Sequence, residues 1–157
     1  MRILFAKSGS PLSILIRAIT REPVSHCAIQ IGDFVVHSNL LGVHIEGAKH
    51  FRTAVTVLYE VETNHPDAVA MLLLAKMLDQ YEGSLYDFGG FAFLGVWLIL
   101  KRWFKLPIPQ VNLWREPGHY LCTEFVTAVI NQKPDGMVTP YQLYLTIKDR
   151  WRKSING

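Results

Sequence analysis

The chain has little of what marks whole classes of protein. Its 157 residues include two cysteines, Cys27 and Cys122. Two cannot build a disulfide scaffold, and no spacing such as C-x-x-C offers a zinc site. Charged residues make up only 18% and sum to +3. That excess is too small to argue for nucleic acid, and no aromatic-and-basic strip is present on which bases would stack. The longest apolar run, Phe88 to Leu100, ends at Lys101-Arg102. It falls short of the roughly 20 residues that span a bilayer, so a buried helix is expected. Contact with a membrane surface through residues 88–104 is the alternative, because Trp97, Trp103 and Phe104 lie beside the basic pair. The apolar part of Met1 to Lys7 is too short for a secretory signal, which makes a cytoplasmic, reducing setting the expectation. No repeat, low-complexity tract or linker divides the chain, so residues 1–157 are read as one domain.

Half of the residues are hydrophobic, which excludes disorder and supplies a core. Ile3 to Ala6 reads as a strand. Ser10-Pro11 is a helix start, serine as the cap and proline at the first helical position, with Leu12, Leu15, Ile16 and Ile19 as the apolar stripe and Pro23 as the stop. Two β-rich runs, Ser25 to Ile31 and Phe34 to Asn39, flank Gly32-Asp33, a two-residue type II′ hairpin signal. Strands over Val43–Glu46 and Val55–Val61 follow. Asn64-His65-Pro66 opens a helix with Ala68 to Tyr81 as its body and Gly83 as its stop. Tyr86 to Phe104 is a second, very apolar helix, with Tyr81, Tyr86, Phe88, Phe91, Phe93 and Trp97 assigned to the core. A loop runs from Leu106 to Gly118, Tyr120 to Ile130 is a helix, and Pro134-Asp-Gly136 is a turn. Thr139-Pro140 caps a last helix whose basic end complements the helix dipole. Strands followed by helices indicate an α+β fold with an antiparallel sheet.

The chemistry concentrates in two places. If Gly32-Asp33 is the turn, facing residues sum to 65, so His26 faces Asn39 and Ala28 faces His37. His26, Ala28, His37 and Asn39 then share one face, with His26 and His37 as diagonal neighbours about 7–8 Å apart at Cα. Cys27, Ile29, Ile31, Phe34 and Val36 take the other face and pack against helices, which leaves Cys27 inert. Far along the chain, Cys122 opens a helix whose Phe125, Val126, Val129 and Ile130 recur at core spacing. Unpaired N–H groups and the helix dipole there favour thiolate. A thiol, a base and a group that orients the base are what cysteine catalysis requires. Of the other histidines, His44 reads as a sheet residue, His50 and His65 as loop residues, and His119 as a weaker rival base. A zinc site from His26, His37 and Cys122 lacks a fourth ligand at a fitting spacing, so neither metal nor cofactor is expected.

Ser25-His26-x-Ala-Ile-x-Ile-Gly-Asp33, then Val35-Val36-His37, then Leu121-Cys122-x-Glu-Phe-Val126 resembles the circularly permuted NlpC-type papain-like hydrolases. The paired histidines are similar to the lecithin:retinol acyltransferase-like branch. Ser10-Pro11-Leu12, Gly83-x-x-Tyr86-Asp87 and Thr139-Pro140-x-x-Leu143-Tyr144 resemble bacterial and phage members, and a phage origin would place the chain in a host cytoplasm. The resemblance implies a papain-like fold with Cys122 as nucleophile, His26 as base and His37 as its orienting partner, Asn39 being the rival. It further implies an oxyanion site of the Cys122 N–H and a side-chain donor, Tyr86 or Tyr120. The hairpin turn is one residue shorter than the branch's Gly-Asp-Gly, and Leu-Cys-Thr-Glu replaces its Asn-Cys-Glu-His. The expected substrate is a peptide amide, cell-wall peptide or isopeptide, cleaved through an acyl-enzyme. Lipid deacylation or acyl transfer is the second expectation. A non-enzymatic module docking on a host protein is the third.

Overall fold

The computed structural model describes residues 1–63, 69, 72, 75, 76, 79, 81, 84–107, 109, 113, 114, 117–131 and 137–155, with backbone alone at 131 and 150–155. It is an α+β fold. Strands β1 (Arg2–Lys7), β2 (His26–Ile31), β3 (Phe34–Asn39), β4 (Gly42–Gly47) and β5 (Thr56–Glu62) form one antiparallel sheet in the order β4-β3-β2-β1-β5. The helices are α1 (Pro11–Thr20), α2 (Ala48–Ala54), α3 (Phe88–Phe104), α4 (Cys122–Asn131) and α5 (Pro140–Ile155). The described residues between 69 and 81 are also helical, whereas the expected start at Asn64-His65-Pro66, the stop at Gly83 and the turn at Pro134-Asp-Gly136 lie outside the described residues.

Both sheet faces are covered. Ile3 and Phe5 of β1 join Cys27, Ile29, Ile31 and Val36 under Phe125 and Val126 of α4 and Leu143 and Ile147 of α5. On the other face Leu4, Ala28 and Val35 pack under Phe51, the buried anchor of α2. The hairpin has the expected turn and register: Gly32 carries a φ of 55°, and Ile29, Gln30 and Ile31 face Val36, Val35 and Phe34. Pairing stops at Ile29–Val36. Phe34 departs from expectation, being 48% exposed, because it sits at the hairpin tip beside the turn, outside the cluster that shields Ile31 and Val36.

The local signals for helix ends hold. The Ser10 hydroxyl accepts from the Ser13 N–H at 3.2 Å. Thr139 and Gln142 form a reciprocal capping box, each side chain accepting from the other's N–H at 3.2 Å. Two helices face differently from their apolar pattern. In α1 the buried residue is Ser13, drawn inward by bonds to the Ser8 N–H (3.0 Å) and the Ser25 hydroxyl (2.6 Å). Leu15 is left exposed, and Ile16 and Ile19 turn toward α3. In α3 only Gly90, Phe93 and Leu94 are buried. The run expected to be a buried helix instead exposes Phe88, Val96 and Ile99, with Trp103 and Phe104 beyond it; among the described elements α3 packs chiefly on α1. No helix among the described residues is long and apolar enough to cross a membrane.

Candidate active site

Cys122 is the first residue of α4, and His26 is the first of β2. The turn into α4 is held from three sides. The buried Glu124 carboxylate accepts from the Leu121 N–H at 2.9 Å, the reciprocal arm of a capping box. The Ser38 hydroxyl donates to the Tyr120 carbonyl at 2.6 Å, and the Tyr120 N–H donates to the Leu85 carbonyl at 3.0 Å. The segment carrying Leu85 is tied in turn to β4, where the Val43 N–H donates to the Ser84 carbonyl at 2.9 Å. That approach requires glycine at 42: its φ is 94°, and a Cβ would collide with the Ser84 carbonyl oxygen.

Three of the predicted side chains meet. His26 adjoins the Cys122 thiol on the wall of one cavity and acts to lower its pKa. Its Nε2 lies 3.0 Å from His37 Nδ1, and His37 Nε2 lies 2.7 Å from Glu46 Oε1. Asn39, the rival to His37, is engaged elsewhere: its Oδ1 accepts from the Leu41 N–H at 2.8 Å and its Nδ2 lies 3.5 Å from His44 Nε2. His119 bonds the Pro117 carbonyl at 3.2 Å and is absent from the walls of the cavity that holds Cys122. His50 belongs to helix α2, not to a loop, and His65 lies outside the described residues.

The line of contacts sets every tautomer. A carboxylate only accepts, so His37 donates from Nε2 and, as a neutral ring, presents a bare Nδ1. That lone pair accepts from His26 Nε2–H. Neutral His26 then carries its own lone pair on Nδ1, the nitrogen left to take the thiol proton. Glu46 is the residue that the sequence reading missed. Register explains its position: His37 pairs with His44 across β3–β4, and Val35 with Glu46. Glu46 is therefore diagonal to His37 on the same face. The signal was available in Asn39-Leu40-Leu41-Gly42, a second two-residue turn to which the hairpin rule also applies.

Electrostatics favour thiolate at Cys122. A hydrogen bond from the Cys27 side chain, together with the hydrogen bond and charge of His26, holds this thiol well below its ordinary range against the opposing effect of burial. The Cys27 thiol is pushed well up by burial and by the neighbouring Cys122. It stays protonated and core-facing, as expected of an inert thiol, and adjoins Cys122. Tyr86 is also held in its neutral, donating form by burial and by the charge of Cys122. Cys122 itself is 8% exposed. It opens on a cavity of about 690 Å³ that it shares with His26, His37, Glu46, Phe51 and Tyr86. A smaller apolar recess that also reaches Cys122 is lined by Ile16, Phe91 and Leu94.

Burial, with the adjoining His26 and His44 rings, lowers His37 from 6.5 to about 2, outweighing the nearby Glu46 carboxylate. Between those values the unfolded chain binds a proton at this residue and the folded chain does not. Stability should therefore fall as pH drops below about 6.5, with a His37 contribution of up to about 1.4 kcal/mol per pH unit. Urea titrations between pH 7 and 5 should show that slope, reduced in His37→Gln.

No protein-family model, curated protein or solved structure matches the chain.

Proposed function

We propose that the chain is a thiol hydrolase with the active-site arrangement of circularly permuted NlpC-type papain-like enzymes, cleaving an amide bond in a peptide, cell-wall peptide or isopeptide. The observation that carries this reading is the grouping of Cys122, His26, His37 and Glu46 on one cavity, with His26 adjoining the thiol and hydrogen bonds joining His26 to His37 and His37 to Glu46. In the proposed cycle His26 Nδ1 takes the thiol proton and the sulfur adds to the substrate carbonyl. The oxyanion is met by the Cys122 backbone N–H at the helix front and by the Tyr86 hydroxyl. Tyr86 is preferred to Tyr120 because it lines the cavity beside the sulfur, whereas the Tyr120 ring packs on Tyr81. His26 returns its proton to the leaving amine, then deprotonates the water that hydrolyses the thioester. His37 and Glu46 act as positioning residues, holding His26 in the tautomer that can accept a proton.

A second reading, lipid deacylation or acyl transfer, draws on the exposed apolar residues of α3 beside exposed Lys101 and Arg102. One experiment separates the two. The chain is incubated with peptidyl amides and with long-chain acyl esters, and the protein mass is followed by rapid quench. The amide reading expects a peptidyl adduct on Cys122 that turns over and is absent from Cys122→Ala. A fatty-acyl adduct alone would favour the lipid enzyme, and no adduct from either probe would remove hydrolysis.

A further inference from the structure

We infer that His37, His44 and Glu46 form a binding site for a divalent transition-metal ion of the zinc type, and that occupancy switches off the base at His26. The switch rests on the hydrolase reading above; the metal site does not.

One ligating atom from each of these three residues lies within 4.8 Å of the others. Two imidazoles and a carboxylate are a common donor set for zinc and related ions. The strands present them together: His37 and His44 are directly paired across β3–β4, their ring centroids 4.4 Å apart, and Glu46 is the diagonal neighbour. His44 has the supporting bond that zinc-binding histidines usually show. Its Nδ1 lies 3.1 Å from the Gly42 carbonyl and donates to it, which leaves the lone pair on Nε2. Among the described residues, the Asn39 amide lies 3.5 Å from that nitrogen. His37 and Glu46 line the 690 Å³ cavity, which gives an ion a path inward. The second carboxylate oxygen of Glu46 is 3.5 Å from the exposed His50 ring. A water or His50 would complete four-coordination.

The effect on chemistry follows from proton placement. Without metal, His37 is protonated on Nε2 and His26 on Nε2. A metal on His37 Nε2 needs that nitrogen's lone pair, so the His37 proton must reside on Nδ1. His37 Nδ1–H then donates to His26 Nε2, and the His26 proton moves to Nδ1, facing the sulfur. Counted with the Cys122 proton still on its sulfur, each ring carries one proton before and after, and none is gained or lost. His26 no longer has a lone pair toward Cys122, so it cannot accept the thiol proton.

Cobalt(II) tests the site by its visible absorption, and zinc tests the switch through iodoacetamide alkylation of Cys122. The expected result is a cobalt spectrum with d–d bands and no sulfur charge-transfer band, unchanged in Cys122→Ser and lost in His44→Gln. Saturating zinc should slow alkylation at least tenfold relative to the metal-free chain, and in His44→Gln the rate should not respond to zinc. A charge-transfer band that disappears in Cys122→Ser would put the metal on the thiolate and overturn the site, whether or not His44→Gln folds. Absence of cobalt binding overturns it as well. Binding that leaves alkylation unchanged overturns the switch. Slow alkylation in the metal-free chain with an intact cobalt spectrum would instead refute the hydrolase reading and the switch, and uphold the site.

Discussion

Replacing His26 by alanine should slow iodoacetamide alkylation of Cys122 at pH 7 by about tenfold and reduce amide turnover by about 10² to 10⁴. The two factors differ because alkylation needs only thiolate, whereas turnover also needs His26 to deliver a proton to the leaving amine. The pH profile carries the sharper test. In the native chain the thiol is held low by Cys27 and His26, so the alkylation rate should be nearly level across neutral pH. It should fall only as acid protonates the sulfur, well below the ordinary thiol value of about 8.5. In His26→Ala the midpoint should move up, though not the whole way, because the Cys27 hydrogen bond survives. Cys27→Ala should move it up as well. A native midpoint near 8.5 would mean an ordinary buried thiol and would end the catalytic proposal.

Phe125→Ala should cost about 3–5 kcal/mol of folding stability, read as a lower urea midpoint at nearly unchanged slope. Phe125 is fully buried in the cluster beneath α4, which packs on β2 and β3, and its ring meets Tyr81 edge-on at 5.9 Å. Removing it empties the joint that presses the cysteine helix on the sheet. The neighbouring backbone bond from the Phe125 N–H to the Leu121 carbonyl, at 2.9 Å, closes the first turn behind Cys122. The loss should therefore appear as unfolding, with alkylation of the remaining folded fraction little changed. A cost below about 1 kcal/mol would contradict a close-packed interior at this joint.

The parts of this structure that could be read from residues alone are those governed by short-range rules. Gly32 sets a turn, the turn sets a register, and the register puts His26 and His37 on one face; the 3.0 Å contact between their rings follows. Ser10-Pro11 and Thr139-Pro140 set helix starts for equally local reasons. What escaped depends on neighbours distant in sequence. Helix α2 has seven residues and one buried anchor, Phe51, too short for a periodic pattern. β1 lies between β2 and β5, although nothing in its six residues chooses those partners. The exposure of Phe88 and the inward turn of Ser13 were set by which elements happened to lie alongside. Glu46 is an intermediate case. The β3–β4 turn is as short as the first, so the same arithmetic reaches it once applied twice.

The tether from Ser38 to the Tyr120 carbonyl spans 82 positions, so it helps bring the sulfur to its imidazole only after the later part of the chain has closed on the sheet. If Cys122 is the proposed nucleophile, a chain still emerging from the ribosome, or one that has lost its sheet, would carry only a sluggish thiol. On the proposed reading, reactivity would arrive only with completion of the fold, and the unfinished polypeptide would be spared its own nucleophile.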